Sequence, residues 1–355
     1  MRVGIITFHE TTNFGSTLQA YALYYAIKKL GHECELIDYK CKALVNKELP
    51  APFSFSMTLK EMAKHVLFSR DIQSKYDALM TFLNEKAKLS RPYDRNTVYK
   101  SANNYDKIIV GSDIVWGMDI TKGDTTYFLD FVSGNNKKYA FASSIGNPWS
   151  KEEKVLVKPM LEDFSGIAVR EEESADWIEE LTGIRPHVVC DPTMLLTSEE
   201  WLSYKSDKYK DKNYVLAYFD NDSRDCSHAV NKIAKSYGCE ALFINYGRPF
   251  KGVKSIRPYS IADFLSLIYY AKKVVTASYQ GMLFSIYFNK QFVYFNRAHK
   301  SRMNTLAKKL GVAMCAGEGK DVLQMTEIDY SSINLKVKEF RNDSLEVLHN
   351  FVNNE

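Results

Sequence analysis

The segment RVGIITFHETTNFGSTLQAYALYYAIKKLGHECELIDY (residues 2–39) holds three elements in a fixed order. RVGIITF is an apolar run typical of a buried strand, and ECELIDY is a second such run. Between them, apolar residues from Leu18 to Leu30 recur at helical spacing, and Gly31 is a typical C-terminal stop. Strand, helix and strand form a β-α-β unit, so the segment predicts an α/β fold built on a parallel sheet.

The same alternation continues along the chain in two series. The strand patterns of the first series are YDKIIVGSD, KKYAFASSIG, FSGIAVREEES and PHVVCDPT, and those of the second are YVLAYF, EALFINY, KKVVTAS and QFVYFNR. We therefore predict two Rossmann-like domains with a cleft between them. The predicted boundaries are residues 1–197 for the N-terminal domain, 198–212 for a polar linker, 213–330 for the C-terminal domain and 331–355 for a final helix.

Composition narrows the class of protein. The 355 residues are 45% hydrophobic and 25% charged, the balance of a soluble globular chain. A net charge of +4 without a basic block argues against a nucleic-acid partner. Six cysteines form no CxxC pair, RVGIITF is too short for a signal peptide, and no apolar run reaches membrane-spanning length. These features predict a cytoplasmic protein with reduced thiols.

The stretch KKVVTASYQGMLFSIYFN (residues 272–289) changes abruptly from strand to helix. Ser278, Tyr279, Gln280 and Gly281 form the polar turn between the two elements. At such a junction, free backbone N–H groups and the positive end of the helix point out of the sheet edge. We predict that this turn binds a ligand.

The loop HETTNFGS after the first strand is a second candidate site. Asn13, Gly15 and Ser16 precede a helix, so their backbone can cradle an anion or a sugar, while Asn13 or Ser16 can also cap the helix. His9 follows the strand and titrates near neutral pH, which makes it a candidate acid or base. The alternative for His9 is a plain solvent-facing side chain.

Three further strands end in candidate residues. Ser112 and Asp113 follow IIVG, and Asp113 can hold a sugar hydroxyl or cap the next helix. Arg170 ends IAVR, where it can clamp an anion or pair with one of the three glutamates after it. Trp116 can stack on a sugar ring or lie in the core. A cluster of basic residues follows the last strand: Arg297, His299, Lys300 and Arg302. The cluster can bind a phosphate, and the alternative is a solvated loop.

Several of these strings occur together in the order TFHETTNFGSTLQAYAL, IIVGSDIVW, YAFASSIG, IAVREEES, VVCDPTMLL and VVTASYQGMLFSIYFNKQF. In this order they resemble the polysaccharide pyruvyl transferase family, from the start of the chain to about Leu310. The resemblance implies a two-domain fold of the glycosyltransferase-B kind, with the acceptor on the N-terminal side and the donor on the C-terminal side.

The resemblance also implies the chemistry. Family members transfer pyruvate from phosphoenolpyruvate to hydroxyls of a sugar, usually as a ketal, on cell-envelope or capsular polysaccharides. The implied partners are phosphoenolpyruvate and a lipid-linked or nucleotide-linked sugar, and peripheral association with the inner face of the membrane is a further prediction. We predict no cofactor and no resident metal, since no acidic cluster has metal-ligand spacing.

This chain departs from the family at several positions, one of which is Ile114, where members often have glutamine after the aspartate. Many members have histidine where this chain has Gln280, and some have arginine where it has Ser278. The candidate catalytic residues are His9, Gln280 and Arg170, although the side-chain amide of Gln280 does not titrate near pH 7. Two alternatives stay open: a transferase of the same fold with a nucleotide-sugar donor, and a catalytically silent relative that binds a glycan or a partner enzyme.

Overall fold

A computed structural model describes residues 1–49, 58–133, 137–219, 224–247, 250, 252–296 and 300–353. The chain divides into two compact units. Unit 1 consists of residues 1–51, 79–196 and 338–355, and unit 2 consists of residues 52–78 and 197–337. The boundary between residues 196 and 197 precedes a short helix in the segment that the sequence predicts to be a linker.

The elements up to residue 196 are β1 (Arg2–Ile6), α1 (Phe14–Lys29), β2 (Glu33–Leu36), α2 (Lys42–Glu48), α3 (Leu59–Lys86), β3 (Lys107–Val110), α4 (Met118–Thr121), β4 (Lys138–Ser143), α5 (Lys151–Glu162), β5 (Gly166–Val169), α6 (Glu172–Thr182) and β6 (His187–Val188). Short 3-10 helices cover Val98–Asn104, Thr125–Phe128 and Pro192–Leu195.

The sheet of unit 1 is parallel, with the strand order β2-β1-β3-β4-β5-β6. The strand order reverses between β1 and β3, whose residues Ile6 and Val110 are paired. A parallel sheet opens a crevice at such a switch point, beyond the carboxyl ends of its strands. The loops after β1 and β3 are therefore the first place to look for a site in unit 1.

Trp116 lies in the core of unit 1. Its ring is fully buried, stacks on Phe128 with the ring centroids 5.7 Å apart, and donates its indole N–H to the carbonyl oxygen of Tyr127 at 2.9 Å. The alternative in which this ring stacks on a sugar is wrong, because its face and its polar edge are both used inside the protein.

The remaining elements are α7 (Ser198–Leu202), β7 (Tyr214–Tyr218), α8 (Arg224–Ser236), β8 (Glu240–Ile244), β9 (Lys254–Ile256), α9 (Ile261–Tyr270), β10 (Val274–Thr276), α10 (Tyr279–Tyr287), β11 (Phe292–Tyr294), α11 (Lys300–Leu310) and α12 (Tyr330–Asn353). A 3-10 helix covers Ala313–Cys315.

Unit 2 contains a second parallel sheet, with the strand order β11-β10-β7-β8-β9. Its switch point lies between β7 and β10, where Thr276 pairs with Tyr218. The turn from β10 into α10 leaves the sheet at this point. The sequence thus predicts both the sheets and the position of the polar turn, whereas the three-residue strand β9 was not predicted.

Two long helices belong partly to each unit. Helix α3 lies in unit 2 up to Ala78 and in unit 1 from Leu79, while α12 passes from unit 2 to unit 1 at Lys338. The last turns of α12 are tied to unit 1, since the carbonyl oxygen of Phe351 accepts a hydrogen bond from Nζ of Lys107 at 2.9 Å. The hydroxyl of Ser344 also accepts the backbone N–H of Cys190 at 2.9 Å.

Candidate functional site

The carboxyl edge of the first sheet gathers most of the predicted residues of unit 1. His9 follows β1, Ser112 and Asp113 follow β3, and Arg170 follows β5 directly. Because parallel strands end at the same edge, these residues lie along one side of the sheet. The edge extends beyond β3, since Asp113 forms an isolated parallel bridge with Ser143, the last residue of β4.

The loop after β1 is hydrogen-bonded to the loop after β3. Ser16 donates its hydroxyl to Oδ2 of Asp113, and Thr7 donates its hydroxyl to the carbonyl oxygen of Ser112 at 2.7 Å. Asn13 is the N-cap of α1 and accepts the N–H of Gly15 at 2.8 Å. The structure therefore brings the first-loop residues and the Ser112–Asp113 pair together at the switch point, and it confirms the capping role of Asn13.

Asp113 has a strained backbone. Its φ is 85°, a left-handed value that costs a residue with a side chain about 1–3 kcal/mol. Oδ1 of Asp113 accepts the N–H of Ile114 at 2.8 Å, while the next helix starts later, with Gly117 as its N-cap. The helix-capping interpretation of Asp113 is wrong, and its half-buried carboxylate is held by the two loops instead.

Arg170 is the centre of a buried ion-pair cluster. Its Nη1 lies 3.0 Å from Oδ2 of Asp191, and its Nε lies 3.5 Å from Oε1 of Glu171. The same Nη1 donates to the hydroxyl of Ser112 at 3.3 Å. The exposed fractions of the three charged side chains are 4% for Arg170, 0% for Asp191 and 4% for Glu171. The ion-pair interpretation of Arg170 is therefore present in the structure, and its role as an anion clamp stays a prediction.

The carboxylates of this cluster have further hydrogen-bond donors. Ser144 and Ser174 donate to Glu171 at 2.6 and 3.2 Å. Thr193 donates its backbone N–H and its hydroxyl to Asp191 at 3.0 and 2.7 Å. Two buried carboxylates thus face one guanidinium, and Asp113 adds a third carboxylate on the same edge.

Both ring nitrogens of His9 face oxygen acceptors. Nδ1 lies 3.2 Å from the carbonyl oxygen of Thr7, and Nε2 lies 3.1 Å from Oδ1 of Asp38. A neutral imidazole can donate to only one of these two acceptors. Burial alone would raise the pKa of Asp38, but the hydrogen bond and charge of His9, with the charge of Lys40, hold it below its ordinary value. His9 is fully buried, so its solvent-facing alternative is wrong.

The polar turn of unit 2 is closely packed against the second sheet. Ser278 is the N-cap of α10 and its hydroxyl accepts the N–H of Gly281 at 3.4 Å. The hydroxyl of Thr276 donates to the carbonyl oxygen of Tyr218 at 2.7 Å and accepts the N–H of Ser278 at 3.0 Å. A Cβ atom at Gly281 would lie 2.3 Å from that hydroxyl oxygen, so only glycine allows α10 to start this close to the sheet.

Gln280 lies in the first turn of α10. Its side chain is buried, with 8% of the residue exposed, whereas Ser278 and Tyr279 are half-buried. The position is therefore at the positive end of a helix and at the switch point of its sheet, as the sequence predicts for a ligand-binding turn. Binding by these four residues stays a prediction.

The basic segment after β11 is only partly described. Arg297 and His299 lie outside the described residues, Lys300 is the first residue of α11, and Arg302 lies in its first turn. Tyr294 at the end of β11 pairs with Thr276 at the end of β10, so the strand that precedes this segment ends beside the polar turn. Within the part of the chain that the structure describes, no group of three or more metal-ligating side chains occurs.

Sequence reasoning missed two residues that complete the unit 1 site. Asp38 follows β2 and pairs with His9, and Asp191 follows β6 and pairs with Arg170. Both are carboxylates just beyond an apolar run, ELI and HVVC, which is the signal that singles out Asp113. Each pair joins the carboxyl ends of neighbouring strands.

With its two parallel-sheet units, the chain has a glycosyltransferase-B-like α/β fold, which it shares with solved UDP-N-acetylglucosamine 2-epimerases. The sequence model of the polysaccharide pyruvyl transferases matches residues 13–299, and the chain belongs to the polysaccharide pyruvyl transferase family. A comparison with proteins of curated function gives no match.

Several solved structures are similar to this chain. A UDP-N-acetylglucosamine 2-epimerase from Rickettsia bellii is similar with a TM-score of 0.51 at 10% identity, covering 98% of this chain and 96% of its own. A protein from Listeria monocytogenes assigned as the same kind of epimerase has a TM-score of 0.51 at 10% identity, covering 98% and 90%. A Streptomyces glycosyltransferase has a TM-score of 0.39 at 13% identity, covering 98% and 96%. No helix among the described residues is long and apolar enough to cross a membrane.

Proposed function

We propose that this protein transfers pyruvate from phosphoenolpyruvate to hydroxyls of a sugar in a cell-envelope or capsular polysaccharide. The observation that carries the proposal is the family match over residues 13–299, which includes the first loop, the Ser112–Asp113 pair, Arg170 and the polar turn. The products are a pyruvate ketal and inorganic phosphate.

The reaction removes two protons from sugar hydroxyls, adds one proton to the methylene carbon and one to the departing phosphate, and needs no oxidant. A proton adds to the methylene carbon of phosphoenolpyruvate, and a sugar hydroxyl attacks the carbon that bears the phosphate and loses its own proton. A second hydroxyl of the same sugar then displaces the phosphate and loses its proton in turn. The protein must therefore bind a highly anionic donor, orient two hydroxyls and provide a route for these protons.

Charge favours an acceptor site in unit 1. Glu171 and Asp191 face the guanidinium of Arg170, and Asp113 lies on the same carboxyl edge of the first sheet. This excess of carboxylates would repel phosphoenolpyruvate, whereas carboxylates accept hydrogen bonds readily from sugar hydroxyls. We assign the sugar to this edge and the half-buried carboxylate of Asp113 as one of its acceptors.

The donor is assigned to unit 2. Helix α10 directs the N–H groups of its first turn out of the sheet at Ser278–Gly281, where a phosphate or carboxylate is favoured. The basic segment follows β11 in the sequence, and β11 ends beside β10 at the same edge. Gln280 can hydrogen-bond the donor, but the proton for its methylene carbon must come from another group, such as His299 or a bound water.

The test is direct. The purified protein is incubated with phosphoenolpyruvate and a panel of nucleotide-linked and lipid-linked sugars, and ³¹P NMR follows the release of phosphate. The ketal methyl group appears in the ¹H spectrum, and in D₂O it must gain one deuterium from solvent. Release of phosphate without a ketal methyl signal, or turnover with a nucleotide sugar alone, would contradict the proposal.

A second candidate function is glycan or donor binding without turnover. The observation that favours it is Gln280, which cannot transfer a proton, together with the engagement of both nitrogens of His9. Isothermal titration separates the two functions, because a silent relative would bind phosphoenolpyruvate or the sugar yet release no phosphate with any acceptor.

A further inference from the structure

The amino edge of the second sheet is basic, on the side opposite the polar turn. Lys212 comes just before β7, Lys254 begins β9, Lys272 comes just before β10 and Lys290 just before β11. Only β8 begins with an acid, Glu240, and that side chain pairs with Lys254 at 3.2 Å. Four of the five parallel strands thus have a lysine at or just before their first residue.

Three lysines near this edge are exposed and have no anionic partner among the described residues. Lys212, Lys235 and Lys272 are exposed and form no ion pair with any residue that the structure describes. Lys235 lies in the last turn of α8, which ends at this edge beside Tyr237, a tyrosine that is 41% exposed. We call Lys212, Lys235, Tyr237, Lys254 and Lys272 the amino-edge surface.

Backbone contacts hold the amino-edge surface together. The N–H of Lys272 donates to the carbonyl oxygen of Tyr214 at 3.0 Å, and the N–H of Glu240 donates to that of Asn213 at 3.2 Å. Neighbouring strands lie about 4.8 Å apart, so the row from Lys254 to Lys272, three strand spacings, is about 14 Å long. A surface depression of about 500 Å³ lies within it, lined by Lys212, Asn213, Gly238, Cys239, Lys254 and Glu240, the ion-pair partner of Lys254.

The amino edge of the first sheet provides a comparison for these lysines. Lys107 is buried and donates to the carbonyl oxygen of Phe351 at 2.9 Å, and Lys138 is buried and paired with Asp163. Arg2 lies 3.7 Å from Glu35. The three cations named at that edge are covered or paired, whereas Lys212, Lys235 and Lys272 of the amino-edge surface face solvent without an ion pair to any described residue.

We propose that the amino-edge surface docks on an anionic phospholipid bilayer. A row of exposed lysines matches the negative potential of such a bilayer, and an exposed tyrosine suits its headgroup layer. The depression between the lysines has room for a phosphate headgroup. This docking does not depend on the donor or the acceptor that the protein uses, because every residue of the amino-edge surface lies at the opposite edge of the sheet from the polar turn.

The experiment is sedimentation of the full chain with vesicles, without any substrate. We expect binding to vesicles of phosphatidylglycerol mixed with phosphatidylcholine, no binding to phosphatidylcholine alone, and loss of binding near 1 M salt, where the screening length is about 3 Å. Each lysine near an anionic surface strengthens partitioning about fivefold, so Lys212→Ala/Lys235→Ala/Lys272→Ala should weaken it about 100-fold.

The matched control removes the same charge elsewhere. Lys100, Lys151 and Lys338 are exposed and lie in unit 1, and their triple alanine variant should keep wild-type partitioning. The lysines in both triples are solvent-facing, so circular dichroism should show both variants folded. The proposal would be overturned if the wild-type protein did not bind phosphatidylglycerol vesicles. It would also be overturned if the control variant lost as much vesicle binding as the variant of the amino-edge surface. Capture of an acidic protein without vesicle binding would point to a protein partner instead.

Discussion

Removing the charge of Arg170 should cost the protein a large part of its stability. The change is Arg170→Met, which keeps a long side chain and deletes the guanidinium. Asp191 and Glu171, whose side chains are 0% and 4% exposed, then lose their cationic partner. Breaking a buried ion pair from one side costs about 3–5 kcal/mol, because an uncompensated charge stays behind.

A loss of that size is readily measured. Domains are stable by about 5–15 kcal/mol, so the variant should unfold at a clearly lower denaturant concentration. Three of the four tryptophans, Trp116, Trp149 and Trp177, lie in unit 1, so intrinsic fluorescence reports mainly on the unit that contains the change. The assay is urea unfolding followed by tryptophan emission.

Arg185 provides the matched control. It contacts three carboxylates, one more than Arg170, those of Glu172, Asp176 and Glu179 at 2.9, 2.8 and 2.6 Å, but its side chain is 44% exposed. Solvent screens such pairs, so Arg185→Met should change the unfolding midpoint much less than Arg170→Met. Burial, not the number of ion pairs, is the variable that the two variants compare.

A double variant tests the cause. Asp191→Asn keeps an oxygen for Thr193 and removes the carboxylate charge, so adding it to Arg170→Met should recover part of the lost stability. Equal midpoints for Arg170→Met and wild-type protein would refute the reasoning. So would a double variant that is less stable than the sum of its single changes predicts.

Gln280→His should restore a group that titrates near 6.5 and, if proton transfer limits turnover, raise phosphate release and create a pH optimum in the ³¹P assay; a variant with the wild-type profile would place the proton route elsewhere. Gly281→Ala should lower the unfolding free energy by about 1–3 kcal/mol, because its Cβ would lie 2.3 Å from a threonine hydroxyl, and an unchanged urea midpoint would contradict this. Burial raises the pKa of Asp130, but the hydrogen bonds from Arg95 and Thr125 lower it overall. The stabilisation is therefore present above about pH 4 and is lost as the pH falls through the folded value, so the midpoints of wild-type protein and Asp130→Asn should converge on acidification. Cys239 is partly exposed, whereas the other five free cysteines are buried. Iodoacetamide should therefore react with Cys239 first, and mass spectrometry of the labelled peptides measures the order. Since burial raises the pKa of Cys239, the labelling rate should keep rising beyond pH 9, and faster labelling of another cysteine would contradict the structure.

Much of the fold could be predicted because apolar runs and helical periodicity are local signals. The strands β1, β3, β7 and β10 coincide with runs that the sequence marks clearly, and the family resemblance supplies the two-sheet architecture. Strand β9 was missed because Lys254–Ile256 is short, begins with a lysine and is not fully buried. Local pattern is weak where the sheet edge faces solvent.

The site was less predictable, because it depends on which strands are neighbours. Arg170 was found as a cation at a strand end, but its pairing with Asp191 requires β5 to lie beside β6. The pairing of His9 with Asp38 likewise requires β1 beside β2. The sequence identifies the residues at the edge, and only the strand order shows which of their charges are already neutralised.

The return of α12 to unit 1 has a consequence for how the protein is made. Residues from Lys338 onward close the amino edge of the first sheet, where Phe351 covers Lys107, yet roughly 140 residues separate them from Leu196. At about 5–20 residues per second, a ribosome needs roughly 7–28 s to cross that interval. Throughout this time the nascent first half lacks its closing helix, while unit 2 emerges with most of its own chain. We expect the half that is synthesised first to reach its final packing last, and to need protection from aggregation until α12 arrives.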